Sequence, residues 1–139
     1  MEVGALNFKT DENMVASFSN YGDNRVDVFS PGMAIYSTTP DNNYGDAQGT
    51  SMAAPVAAGI AALIRSHYPE LSAAQVKQVM IDSSIPKNIM VNVPGEKDMK
   101  KKLSEISVAG GIVNAYTALK LASETKGKFS NRTVKVARP

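Results

Sequence analysis

The sequence predicts an α/β fold in which three helices cover a sheet, and three observations support that prediction. Short segments with the apolar patterning of β-strands lie in the first 40 residues. An almost wholly apolar run at 52–64 is long enough for about four helical turns. Two further helical patterns follow, and helices with apolar faces need a sheet to cover.

Four short segments carry the pattern of β-strands. Residues 3–6 form an apolar run typical of a buried strand, and the other three segments alternate between apolar and polar residues. These three segments lie at 15–19, 26–29 and 33–39. Clusters of Gly, Pro, Asp and Asn separate them, and these residue types favour turns. We therefore expect few strands, most of them near the start of the chain, and an incomplete sheet.

The apolar run at 52–64 is expected to form a helix that is buried on all sides, with Gly59 as its weak point. A second helix should begin at a capping box, in which the Ser72 hydroxyl and the Gln75 side chain satisfy free backbone amides. Apolar residues such as Val76 and Val79 follow at helical spacing, and this helix should end near Ser84.

A third helix is expected after Gly110 and Gly111. Its inward-facing residues would recur at helical spacing. They are Ile112, Ala115, Tyr116, Leu119 and Ala122.

The predicted domain spans residues 1–124, and residues 125–139 are expected to form a basic tail or linker, in which 133–136 alternate like a strand. Within the domain, residues 86–107 are irregular in pattern and rich in lysine. We expect them to form a solvated insertion that contains at most one or two amphipathic turns.

Composition excludes several classes of function. Hydrophobic residues make up 43% of the chain and charged residues 20%, which is typical of a globular domain. A net charge of +2 gives no general case for binding nucleic acid. The chain has no cysteine, no apolar run long enough to span a membrane and no signal-peptide pattern at its start. It has a single histidine, His67.

Ser51 stands at the mouth of the apolar helix, where it could be either a helix cap or a nucleophile. Unpaired backbone N–H groups at a helix start stabilise negative charge on a nearby oxygen. Pro55 cannot donate to the carbonyl of Ser51, so we expect it to hold Ser51 in a non-helical turn. Serine is a favoured N-cap, however, and these arguments alone favour the cap.

The run at 49–59 resembles the nucleophile motif of the subtilisin-like serine peptidases. The residues that match are Gly49, Thr50, Ser51, Met52, Ala53, Pro55 and Gly59. Further similarity to that family lies in the segments 3–5, 16–22, 26–32, 37–40, 44–45 and 110–115. The resemblance implies the C-terminal portion of a three-layer domain, with a parallel sheet flanked by helices.

The resemblance also implies a chemistry. Ser51 would attack a peptide carbonyl and form an acyl-enzyme, with its own backbone N–H as one donor to the oxyanion. Thr50 would support the oxyanion site, and Met52 would pack behind the serine. The substrate would be a peptide or protein, the enzyme secreted or periplasmic, and no cofactor would be needed. Family members often bind calcium near the segment that contains Asp27, which is a weak candidate ligand here.

The catalytic histidine and aspartate of that family match nothing in this chain. His67 lies 16 positions after Ser51, which is about 24 Å along one helix and outside hydrogen-bond reach. It is expected to pair with the end of its helix instead. We therefore expect the chain to be inactive alone and to need the N-terminal part of the peptidase domain. The alternative is a non-catalytic remnant or interaction module that keeps the fold.

Overall fold

Residues 1–127, the part of the chain that the computed structural model describes, form eight short strands, a single 3₁₀ turn and three α-helices. The strands are β1 (Val3–Leu6), β2 (Val28–Pro31), β3 (Ile35–Thr39), β4 (Asn43–Ala47), β5 (Ile85–Pro86), β6 (Met90–Asn92), β7 (Lys100–Lys102) and β8 (Gly111–Ile112). The helices are α1 (Thr50–His67), α2 (Ala73–Asp82) and α3 (Ala115–Glu124), and the 3₁₀ turn is Leu103–Glu105.

The central sheet has the strand order β1-β2-β8-β5. Its first three strands are parallel, and β5 pairs antiparallel with β8. Two hairpins stand beside this sheet, β3 with β4 and β6 with β7. A parallel sheet with helices packed on it is the α/β architecture that the sequence predicts.

Successive residues of β2 point to opposite faces of the sheet and lie in two different cores. Val28 packs with the helices, in a cluster that includes Ile64, Leu71 and Met80. Phe29 packs on the other face, in a cluster that includes Leu103. Both faces of the sheet are therefore covered within the described residues.

The prediction that 86–107 is a solvated insertion is wrong. Val91, Leu103 and Ile106 are fully buried and belong to the cluster around Phe29. In β7 the side chains of Lys100 and Lys102 lie on the exposed face of a hairpin, whereas Lys101 is half-buried. This segment supplies the layer that covers the second face of the sheet.

Two strand predictions also need correction. Residues 15–19 do not form a strand: Val15 makes an isolated bridge to Leu6, and the Ser19 hydroxyl then accepts the N–H of Ala5 at 2.8 Å. The strand expected at 26–29 lies two residues later, at Val28–Pro31. The other strands near the start agree better, since β1 has the predicted bounds and β3 lies within 33–39.

The capping box of α2 is confirmed, with the Ser72 hydroxyl accepting from the Gln75 N–H and the Gln75 side chain accepting from the Ser72 N–H. The inward stripe of the third helix is partly wrong. Ile112 lies in β8, and Tyr116 is 75% exposed. Asn114 caps α3 by accepting the Thr117 N–H, and the buried residues of α3 are Ala118 and Ala122.

The expectation that α1 is buried on all sides is wrong as well. Its buried residues are Ala53, Ala57 and Ile64, which all point to the sheet. The opposite side of α1 is exposed in this chain. No helix within residues 1–127 is both long and apolar enough to cross a membrane. The tail beyond residue 127, including the strand-like 133–136, lies outside the described residues.

Candidate active site

The start of α1 is fixed to the ends of the first two strands. The Gly49 N–H donates to the Gly32 carbonyl at 2.8 Å, and the Gly32 N–H donates to the Leu6 carbonyl at 3.0 Å. A methyl group on Gly32 would lie 2.6 Å from the Ala5 Cβ and 2.8 Å from the Gly49 oxygen. Glycine is needed at Gly32 because the helix start and β1 approach it this closely. The site therefore lies at the carboxyl edge of the parallel strands, where α/β folds place their ligands.

Gly49, and not Ser51, is the N-cap of α1. Gly49 has φ 146° and ψ 165°, a conformation that favours glycine. Its carbonyl accepts from the N–H groups of Met52 at 3.0 Å and Ala53 at 3.2 Å. Among residues 1–127, no side chain caps this helix. The interpretation of Ser51 as a helix cap is therefore wrong.

The backbone N–H groups of Thr50 and Ser51 have no acceptor among the described residues. The first turn of α1 also carries no acidic side chain. Two free donors at the positive end of an 18-residue helix form a site that stabilises a negatively charged oxygen.

Ser51 is the second residue of α1, and its side chain is exposed. Within residues 1–127 its hydroxyl has no hydrogen-bond partner. The expected non-helical turn at Ser51 is wrong, because α1 continues through Pro55. Pro55 would bring its ring against the carbonyl of Ser51, four residues earlier. That carbonyl lies in the first turn of α1, where it can tilt away from the ring.

The other motif residues surround this helix start. Thr50 and Met52 are half-buried. The Met52 sulfur lies 3.6 Å from the position that a Cβ on Gly49 would take, so this side chain packs against the turn that precedes Ser51. Gly59 lies on the exposed side of α1, and no atom of the described part of the chain lies within 4 Å of the position of an added Cβ.

His67 lies at the far end of the same helix. Its Nδ1 is 3.1 Å from the Leu63 carbonyl oxygen and 3.1 Å from the Ser66 hydroxyl. Its ring therefore interacts with the last turn of α1, as the sequence predicts. The structure does not bring His67 and Ser51 together.

Asp27 is buried, and both of its carboxylate oxygens have protein partners. One oxygen is 2.9 Å from the Lys77 ammonium, and the other accepts the Glu2 N–H at 2.7 Å. A calcium ion here would have to displace a lysine, and no group of three or more His, Cys, Asp or Glu side chains in the described part of the chain could hold a metal. Asp27 therefore does not fit the role of a metal ligand, and its contacts join the residue before β2 to α2 and to the residue before β1.

Comparison with known proteins shows to which family the chain belongs. The family model of the subtilases, peptidase family S8, matches residues 1–130. The chain belongs to the subtilase family. The subtilases are a family of serine peptidases. The free N–H groups and the exposed hydroxyl of Ser51 therefore belong to a member of a serine peptidase family.

Similarity to individual proteins supports the same assignment. Subtilisin DY of Bacillus licheniformis is 55% identical over 62 residues, which is 45% of this chain and 22% of that protein. Subtilisin-like protease 1 of Plasmodium vivax is 34% identical over 125 residues, which is 89% of this chain and 18% of that protein. The chain thus spans about a fifth of the length of these relatives.

Solved structures agree with the fold. The CspB protease of Clostridium perfringens aligns with a TM-score of 0.67 and 26% identity, over 89% of this chain and 27% of that chain. The A-subunit of an AB5 toxin from E. coli also aligns with a TM-score of 0.67, at 24% identity, over 86% of this chain and 37% of that chain. The predicted subtilisin-like α/β architecture is therefore confirmed.

Sequence reasoning missed two features around the site. One is Gly32, whose contact with Gly49 joins residues far apart in sequence. The other is a cleft of about 810 Å³ that is lined by Gln48, just before the motif, and by the turn of the β6–β7 hairpin. The apolar residues Val91 and Val93 are a strand signal that could have revealed this hairpin.

Proposed function

We propose that Ser51 is the nucleophile of a serine endopeptidase. The observation that carries the proposal is that Ser51 lies in the first turn of α1 without capping it, next to two free backbone N–H groups. Its exposed hydroxyl is not used by the fold, and the helix start supplies the positive field that an oxyanion needs.

In the proposed reaction the Ser51 oxygen attacks the carbonyl carbon of a peptide bond while a base takes the hydroxyl proton. The carbonyl oxygen becomes an oxyanion and accepts a hydrogen bond from the Ser51 N–H, with support from Thr50. The intermediate collapses to an acyl-enzyme as the amine leaves with a proton, and water then releases the acid.

The base comes, in this proposal, from a segment outside the 139 residues. A serine hydroxyl without a positioned base is a poor nucleophile at neutral pH, and the one histidine of the chain is bonded to the end of α1. We expect this segment to be the N-terminal part of the peptidase domain, and to pack on the exposed side of α1. The 139-residue chain alone should then be inactive.

The proposal extends to substrate and setting. The substrate is a peptide or protein, as the family implies, and the chemistry needs no cofactor. The enzyme would act in a secreted or periplasmic setting.

Labelling with a fluorescent phosphonate, which reacts with activated serines, tests the proposal. We expect the full-length product of the gene to be labelled, and the 139-residue chain not to be. Ser51→Ala should abolish the label, whereas Ser66→Ala, which removes another exposed serine hydroxyl from the same helix, should not. Labelling of the isolated chain at Ser51 would contradict the need for an external base.

A non-catalytic interaction module is the second candidate. The observation that favours it is the same absence of a base within reach of Ser51 in the described residues. It predicts that the full-length product is folded, is not labelled by the phosphonate and does not cleave peptides, which would overturn the proposed peptidase activity.

A further inference from the structure

We propose that the turn of the β6–β7 hairpin forms one wall of a substrate cleft beside Ser51 and selects peptides with polar side chains. This inference rests on the proposed function, because it names the part of the chain that would contact a substrate away from the scissile bond. The segment involved, 93–99, lies within the region that the sequence marked only as a solvated insertion.

The cleft has a volume of about 810 Å³, within the range of pockets that hold ligands. Residues 7–18 line one side, the hairpin turn lines another, and Met33 and Gln48 also contribute. Gln48 is three peptide units before Ser51, so their Cα atoms are at most ~11 Å apart. An extended peptide rises about 3.3 Å per residue, so about three substrate residues span this distance.

The hairpin is held rigidly against the opposite wall. The Asn92 N–H donates to the Glu12 carbonyl at 2.8 Å, and the Asn92 side chain donates to the Asn13 side chain at 3.0 Å. The Lys100 ammonium pairs with the Glu12 carboxylate at 2.5 Å. Below these contacts Val91 is fully buried, so the wall is anchored in the core.

The turn itself presents polar groups that the fold does not use. Glu96, Lys97 and Asp98 are exposed, and within residues 1–127 none of them has an ion-pair partner. Asn7, Lys9 and Ser17 add further polar side chains to the lining. A surface of this kind offers hydrogen-bond partners to polar peptide side chains.

The test measures how fast the full-length gene product hydrolyses each of three peptide substrates. One is a short substrate that ends before the cleft, and two are extended peptides that carry either Gln and Lys or Leu at the positions that reach it. We expect kcat/KM to be higher for the polar extended peptide than for the leucine peptide. The double variant Glu96→Ala/Lys97→Ala should lower the ratio of polar extended to short substrate about 5-fold, the factor of one ordinary hydrogen bond.

Lys87→Ala is the matched control, because Lys87 is also exposed and belongs to the same lysine-rich region, 86–107, but does not line the cleft. A ratio that is the same in the double variant and in the control would overturn the proposal. If no substrate is cleaved, the proposed peptidase activity fails by itself. In that case the cleft proposal is tested by titrating the extended peptides into the Ser51→Ala protein, with and without Glu96→Ala/Lys97→Ala. Equal affinity of the two proteins for the polar peptide would overturn the cleft proposal.

Discussion

Substitution of Gly32 by alanine tests whether the close packing of Gly32 against Ala5 and Gly49 positions the proposed nucleophile. The new methyl group would lie 2.6 Å from the Ala5 Cβ and 2.8 Å from the Gly49 oxygen, whereas ordinary contact begins near 3.4 Å. Neither neighbour is the end of a flexible side chain, so the turn that carries Gly49 must move away from β1. Overpacking of this kind costs about 1–3 kcal/mol, and a Gly-to-Ala change recovers about 0.4–1 kcal/mol through the unfolded chain.

We therefore expect Gly32→Ala to lower the free energy of unfolding of the full-length gene product by about 1–2 kcal/mol, measured by urea denaturation. The phosphonate labelling rate at Ser51 should fall further than stability explains, by about 10-fold or more, because a displacement of 1 Å disturbs the attack geometry.

Gly45→Ala is the matched control for this substitution. Gly45 lies in β4, and its added methyl group would meet only the Thr39 Cγ2, at 3.6 Å, which is ordinary contact. The control should stay within about 0.5 kcal/mol of the parent protein and keep the parent labelling rate. If Gly32→Ala behaves like Gly45→Ala in both measurements, the close packing of Gly32 against Ala5 and Gly49 does not position Ser51.

Three other substitutions test the fold by urea or thermal denaturation. Gly59→Ala should stabilise the 139-residue chain by about 0.5–1 kcal/mol, because no atom lies near the new methyl group; the gain should disappear in the full-length product if another segment covers this side of α1. Ser72→Ala should cost about 1 kcal/mol through loss of the capping box. Leu103→Ala should cost about 2–5 kcal/mol, whereas a cost near zero would mean that 86–107 is a solvated insertion after all.

Local signals in the sequence were enough for the elements that depend on local chemistry. The capping box at Ser72 and Gln75 was predictable because both partners lie within one turn of the helix they stabilise. The strand β1 was predictable because a short apolar run between polar residues has few other structures available.

Elements that depend on distant contacts were not predictable in the same way. Residues 86–107 look polar in sequence, but their few apolar side chains cover Phe29, whose face of the sheet would otherwise be open. Tyr116 has helical spacing to its apolar neighbours, yet Ala118 and Ala122 are the buried residues of α3 and Tyr116 faces solvent. Periodicity alone does not fix which side of a short helix meets the core.

Some features of the candidate site were predictable from the sequence and others were not. The position of Ser51 at the start of a helix followed from sequence, and its proposed role followed from a family resemblance. That Ser51 is not the helix cap could be learned only from the structure, because it depends on the backbone conformation of Gly49 and on the N–H groups that the Gly49 carbonyl accepts. The contact of Gly32 with Gly49 needed it too.

The exposed side of α1 connects the fold to the proposed chemistry. A helix on a protein surface normally has charged residues on its solvent side, yet the thirteen residues after Ser51 contain none. Ser51 shares this side with Ala54, Pro55, Ala58 and Ala62, which lie at helical spacing from it and are exposed. Such small side chains allow a neighbouring element to approach closely. An element that covers this side of α1 therefore comes near Ser51 as well, and a base on it could reach the hydrogen-bond distance of about 2.6–3.2 Å that proton transfer requires.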